Sequence, residues 1–210
     1  MTDPVVSSNS SPDTSSPSQH SQKHANENSR GSLIVYAALA LGIALAIRLF
    51  VAAPYVVSGS SMEPNFEDWD YLIVDRLTYD IAKPERGDII VFNLPEDTSR
   101  SLIKRVIGLP GDTVVLSGTA PTVTIKNAQH PSGFTLNEPY LSPNDLGGAS
   151  GMSVTLGPDQ YFVLGDNRKV SADSRLWGIL PRKDIVGRVL LRLYPLNEIG
   201  ILPSEARYQQ

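Results

Sequence analysis

The sequence predicts a mostly β, antiparallel body behind one N-terminal transmembrane helix and a disordered tail, and three observations lead there. Residues 1–31 are rich in Ser, Asn, Gln and Pro and show no apolar periodicity. The run from Leu33 to Ile47, LIVYAALALGIALAI, is uncharged. Beyond Pro54, short β-branched and aromatic runs alternate with Gly, Pro, Asp and Asn turn signals.

In chain order, the tail comes first. A polar segment without periodicity cannot bury enough surface to offset the entropy of ordering, so residues 1–31 are expected to be disordered. His20 and His24 in that tail would share one face of a helix at metal-ligand spacing. Nothing near them supports a helix, and no metal or cofactor is expected.

The apolar run follows. As a helix its fifteen residues rise about 22 Å, short of the roughly 30 Å hydrocarbon core. If the Arg48 guanidinium snorkels to the headgroups while Leu49 to Ala53 extend the helix, the span reaches roughly twenty residues and suffices. An anchor is therefore expected over residues 32–54. Ala44-Leu45-Ala46 has the small-x-small pattern of an export-signal cleavage site, but it lies within the apolar run and behind a long polar leader. Lys23 and Arg30 precede the span, and after Arg48 no Lys or Arg occurs until Arg76. That bias puts the N-terminus on the cytoplasmic side of the plasma membrane and the body, residues 55–210, outside it as a single-pass protein.

In the body, strands are expected at Tyr71–Val74, Asp88–Phe92, Leu102–Ile107, Thr113–Leu116, Thr122–Ile125, Gln160–Leu164 and Val186–Leu191. Gly87-Asp88, Pro110-Gly111-Asp112 and Gly165-Asp166-Asn167 read as turns, and the Gly-rich stretch from Asn144 to Gly151 as an exposed loop. A chain of 210 residues with 41% hydrophobic content holds one proper core and suits a monomer. With 18 basic against 22 acidic side chains and a net charge of −4, it lacks the basic excess that nucleic acid requires. The absence of cysteine excludes thiolate catalysis, disulfides and Cys-ligated metals.

Two positions suggest nucleophilic chemistry. In Val57-Ser58-Gly59-Ser60-Ser61-Met62-Glu63-Pro64, directly after the apolar run, three hydroxyls compete for the role, and the stretch reads equally as a flexible turn. Gly59 allows backbone N–H groups to approach a developing oxyanion. In Leu102-Ile103-Lys104-Arg105-Val106-Ile107 alternate residues share a face, so one of the two cations must face apolar surroundings. A lysine there loses hydration, and a fall from about 10.4 to about 8 requires about 3.3 kcal/mol, well within the known range. The plain alternative has the Lys104 ammonium reaching water at the sheet edge. Histidine offers little competition, because only His130 lies in the body. A third segment, Gly165 to Arg175, has the look of a solvated loop, yet Asp173 and Arg175 are spaced to pair and Ser171 could orient an amine.

These segments, in this order behind one anchor, resemble type I signal peptidase, the membrane-bound Ser/Lys endopeptidase that removes signal peptides from exported preproteins. Arg86-Gly87-Asp88-Ile89-Ile90-Val91-Phe92, Gly108-Leu109-Pro110-Gly111-Asp112 and Leu136-Asn137-Glu138-Pro139-Tyr140-Leu141 resemble further segments of that family. The resemblance implies an antiparallel β catalytic domain with Ser61 as nucleophile and Lys104 as general base. It also implies support from Ser171 and an Asp173–Arg175 pair that stiffens the site. Gly59 stands where some members have a serine that completes the oxyanion hole, so a backbone donor would substitute. Val57, Ser58, Met62, Leu102 and Ile103 border the dyad and would form pockets for small side chains such as Ala at the first and third positions before the cut. The expected partners are preprotein signal peptides and the lipid bilayer. The departures are Asn65, in place of the commoner threonine, and Lys169-Val170. Self-cleaving repressors and pilin-processing peptidases share such a body, though the membrane run and the lack of a helix-turn-helix leader argue against the repressors. A silent β module that binds peptides by strand addition is the alternative from another class.

Overall fold

The structure, a computed structural model, describes residues 23–46, 51–118, 122–147, 151–203, 206 and 208. The chain divides between Leu45 and Ala46 into two units. In the first, α1 (Lys23–Ala46) is a continuous helix. It begins inside the segment expected to be unstructured tail. Lys, Ala, Glu and Arg are good helix formers, and lengthening an existing helix avoids the cost of a new nucleus. His24 stands in its first turn, while His20 and the rest of the tail lie outside the described residues. Side chains 31–45 are exposed, among them Leu33, Ile34, Val35, Leu39 and Leu41. No helix among the described residues is long and apolar enough to cross a membrane.

The expected extension of the helix to Ala53 does not occur. Arg48 lies outside the described residues, and Ala52–Val56 form strand β1, paired antiparallel with β2 (Tyr71–Asp75) from Ala52↔Asp75 to Val56↔Tyr71. Pro54 explains the change. Inside a helix it would remove a hydrogen bond and clash with the preceding turn, whereas on an edge strand its missing N–H costs little.

The second unit is mostly β. After β2 come the short helix α2 (Thr78–Ile81), β3 (Ile89–Leu94), β4 (Asp97–Gly108), β5 (Thr113–Ser117), β6 (Thr122–Lys126) and β7 (Phe134–Thr135). Then follow β8 (Met152–Thr155), β9 (Gln160–Leu164), α3 (Ser174–Trp177), β10 (Leu180–Pro181), β11 (Ile185–Tyr194) and β12 (Gly200–Ile201). The larger sheet runs β1-β2-β11-β3-β4-β9-β10, with β12 added on β11, and the smaller runs β7-β6-β5-β8. The described pairings are antiparallel, and all seven expected runs are strands. The expected Gly-rich loop contains a single 3-10 turn, Pro143–Asp145, and residues 148–150 lie outside the described set.

Three apolar clusters hold the unit together. Ile107, Phe162 and Leu164 of the larger sheet meet Val114, Leu116, Val123 and Ile125 of the smaller one. Ile89 and Val91 pack with Met62, Phe66, Leu72 and Val189, while their neighbours Ile90 and Phe92 pack with Val106, Tyr161 and Val163. Alternation along β3 thus feeds two clusters from one strand, which is why its run is continuously apolar.

Candidate active site

The segment from Val57 to Asp70 links β1 to β2 and is drawn closed at its neck. Val57 N–H donates to Asp70 O at 2.9 Å and Trp69 N–H to Val57 O at 3.0 Å. Met62 and Phe66, both 0% exposed, plug the loop into the core. Apolar burial at those two positions raises Ser61 to the rim, where its carbonyl accepts from Asn167 N–H at 3.0 Å.

Opposite it, β4 supplies Lys104. Its Nζ lies 2.7 Å from Ser61 Oγ and 2.8 Å from Ile103 O, and the residue is 2% exposed. Among the described residues no carboxylate comes within ion-pair distance of it. Burial lowers its pKa to about 8, against a smaller opposing pull from Asp173 and Asp166. A neutral amine at that separation presents its lone pair to the serine proton, the arrangement general-base activation of a hydroxyl needs.

A cavity of about 100 Å³ adjoins the pair, lined by Tyr55, Val56, Val57, Ser58, Ser61, Leu72, Val91, Ser101, Leu102, Ile103 and Lys104. Val57, Ser58, Leu102 and Ile103 are thus where the sequence reading put them. Met62 is not: it lies beneath the wall in the core, because an unbranched thioether fills the gap between Val57 and Phe66. A larger cavity of about 290 Å³, between Arg86 and His130, includes neither Ser61 nor Lys104. We place the candidate site at the smaller one because it alone of the two has Ser61 and Lys104 on its wall. His130 sits on the other, edge-on to Phe134 with ring centroids 5.0 Å apart, so it does not build a triad with Ser61.

The third segment is drawn in by α3. Asp173 caps that helix through Arg175 N–H and accepts from Gly165 N–H at 3.0 Å. Arg175 pairs with it through Nε at 2.8 Å and donates a further bond to Arg168 O at 2.8 Å. Ser171 stands apart from this expectation. Its Oγ is buried without a hydrogen-bond partner among the described residues, although it lies against Gly165 on the same side as Ser61 O. Gly59 also differs. Its φ of 91° needs glycine, but its N–H is taken by Asp68 Oδ1 at 2.9 Å.

The sequence reading does not anticipate the polar layer behind Ser61 and Lys104. Arg105 forms a two-pronged pair with Asp166, Nε to Oδ1 at 2.8 Å and the second prong at 2.6 Å, with both side chains fully buried. Tyr140 lays its ring 3.8 Å from that guanidinium, and Glu138 holds Arg168. The signal was present as a buried-strand arginine beside a Gly-Asp-Asn turn, but only the fold brings them together.

Comparison with known proteins follows the same lines. A family model described as "Signal peptidase, peptidase S26" matches residues 30–194. The chain is 38% identical over 175 residues to Probable signal peptidase I-2 of Synechocystis sp., covering 78% of this chain and 73% of that one. It is 38% identical over 183 residues to Signal peptidase I of Leptolyngbya laminosa, covering 81% and 82%. It is 39% identical over 171 residues to Signal peptidase I of Bacillus amyloliquefaciens, covering 77% and 86%.

Proposed function

The chain belongs to the signal peptidase family, peptidase S26, as a serine peptidase that cleaves signal peptides, and on that premise we propose that Ser61 and Lys104 perform the cleavage. The supporting observation is the 2.7 Å approach of a buried lysine, without a carboxylate partner among the described residues, to one serine hydroxyl. Neutral Lys104 takes the Ser61 proton as Oγ bonds to the peptide carbonyl carbon. The ammonium so formed gives that proton to the leaving nitrogen as the C–N bond breaks, leaving an ester on Ser61. Water then attacks the ester, Nζ accepts its proton, and Ser61 recovers it as the carboxylic product departs. Asp173 and Arg175 act as a frame for this step and Ser171 as packing beside it.

The cavity supports cleavage after small residues, since about 100 Å³ bounded by Leu72, Val91 and Ile103 suits Ala. We place the protein at the plasma membrane, with the apolar run from Leu33 to Ile47 as the anchor region, the tail cytoplasmic and the body outside. The exposed apolar side chains of α1 favour lipid contact. So does a patch on the body where Val56, Tyr71 and Tyr194 are cross-strand neighbours, with Trp69, Leu196, Ile199 and Ile201 close to them in sequence. Exposed apolar side chains on neighbouring strands mark membrane or partner contact.

The test is direct. Full-length protein in detergent, given a preprotein with an Ala-x-Ala cleavage site, should release the signal peptide, and Ser61→Ala and Lys104→Ala should each abolish release. Cleavage retained by either variant overturns the assignment.

A further inference from the structure

We propose that Asn65 is a positioning residue that holds Ser61 against Lys104, an inference that rests on the assignment of that pair above. The side chain is engaged on both of its N–H groups: Nδ2 donates to Asp166 Oδ2 and to Tyr140 O, each at 2.9 Å. Its backbone is engaged as well, with O accepting from Arg192 at 2.6 Å and N–H donating to Met62 O at 3.0 Å.

The acceptors give these bonds their consequence. Asp166 is 0% exposed and locked by Arg105, the residue next to Lys104 on β4. Its neighbour Asn167 holds Ser61 O through its backbone N–H. One dipeptide, Asp166-Asn167, therefore grips the nucleophile loop twice, once at Ser61 and once at Asn65, and is itself tied to the strand that bears the base. Asn65 closes the path from β4 through Arg105 and Asp166 to the loop.

The residue type matters. A primary amide reaches two acceptors from one nitrogen, whereas a hydroxyl has one hydrogen and an alkyl group has none. Asn65→Thr keeps at most one bond, and Asn65→Leu keeps the volume and loses both. Because displacing a nucleophile by about 1 Å can cost about 100-fold, we expect Asn65→Leu to lower kcat by about 10- to 100-fold with KM within about twofold of wild type, and Asn65→Thr to fall between.

The experiment measures kcat and KM for preprotein cleavage together with amide hydrogen exchange over residues 61–66, for wild type, Asn65→Thr and Asn65→Leu in full-length protein. The inference predicts faster exchange in that loop, in the same order as the loss of kcat, with exchange in β4 unchanged. Wild-type kcat in Asn65→Leu, or loop exchange equal to wild type, overturns it. Should Asn65→Leu fail to fold, Asn65→Thr decides on the same two readouts. Should wild type fail to cleave, the functional reading falls, and loop exchange alone decides whether Asn65 holds the loop.

Discussion

Lys104 and Arg105 are consecutive cations on β4, both buried, and their partners give them different fates. Arg105 meets Asp166 and stays charged, since a guanidinium does not deprotonate and the carboxylate offsets its lost hydration. Among the described residues Lys104 has only the Ser61 hydroxyl and the Ile103 carbonyl as partners, so burial lowers its pKa to about 8. The activity should follow: kcat/KM for preprotein cleavage should rise with an apparent pKa of about 8, and a profile flat from pH 6 to 10 would contradict a lysine base. Stability follows with the opposite benefit. Between pH 8 and the ordinary lysine value the unfolded chain binds the extra proton, so the folded state gains stability as pH rises through that window and carries the full penalty below it. Lys104→Met should therefore stabilise the protein at pH 7 by up to about 3 kcal/mol while removing activity. Urea unfolding at pH 7 and pH 10.5 checks this, and a gain of equal size at both would show that charge burial is not its source.

At the scale of elements, the turn after β9 and the short helix α3 work as a brace. Asp173 serves three donors at once: the helix N-terminus, Gly165 N–H and the Arg175 guanidinium. Removing it takes the carboxylate from a half-buried arginine and leaves the buried Gly165 N–H unpaired, so Asp173→Ala should cost about 2–4 kcal/mol, read as a fall in the urea midpoint. A loss below about 1 kcal/mol would reduce Asp173 to an ordinary helix cap. Gly165 is constrained by the same brace, because a Cβ there would collide with Ser171 Oγ and Ser61 O. The turn after β9 thus needs glycine where it packs against Ser61 O.

For the whole molecule, the fold brings Ser61 and Lys104 together from distant stretches of chain and leaves Val56, Tyr71 and Tyr194 exposed as an apolar patch at the end of β1, β2 and β11. If that patch rests on lipid, Trp69, 72% exposed, becomes its reporter. The chain has two tryptophans, and Trp177→Phe leaves Trp69 alone. In vesicles with brominated acyl chains its emission should be quenched relative to ordinary lipid. Equal emission in the two would place the patch in water and assign it another role.

The sequence alone determined the local chemistry and its order. Period-2 runs and turn residues specified seven of the strands, and the family resemblance singled out Ser61, Lys104 and the Asp173–Arg175 pair. Short strands such as β7, β10 and β12 left no such trace, because two residues have no periodicity. Ala52 to Pro54, the start of β1, read as anchor because they continue an apolar run whose end Pro54 marks only weakly. That Ser61 Oγ lies 2.7 Å from Lys104 Nζ, that Met62 packs inward, that Ser171 Oγ finds no hydrogen-bond partner among the described residues and that Asn65 reaches Asp166 were decided only by tertiary structure. Those facts depend on distances between segments up to about a hundred residues apart, and such distances follow from sheet order and shared packing, which no local pattern encodes.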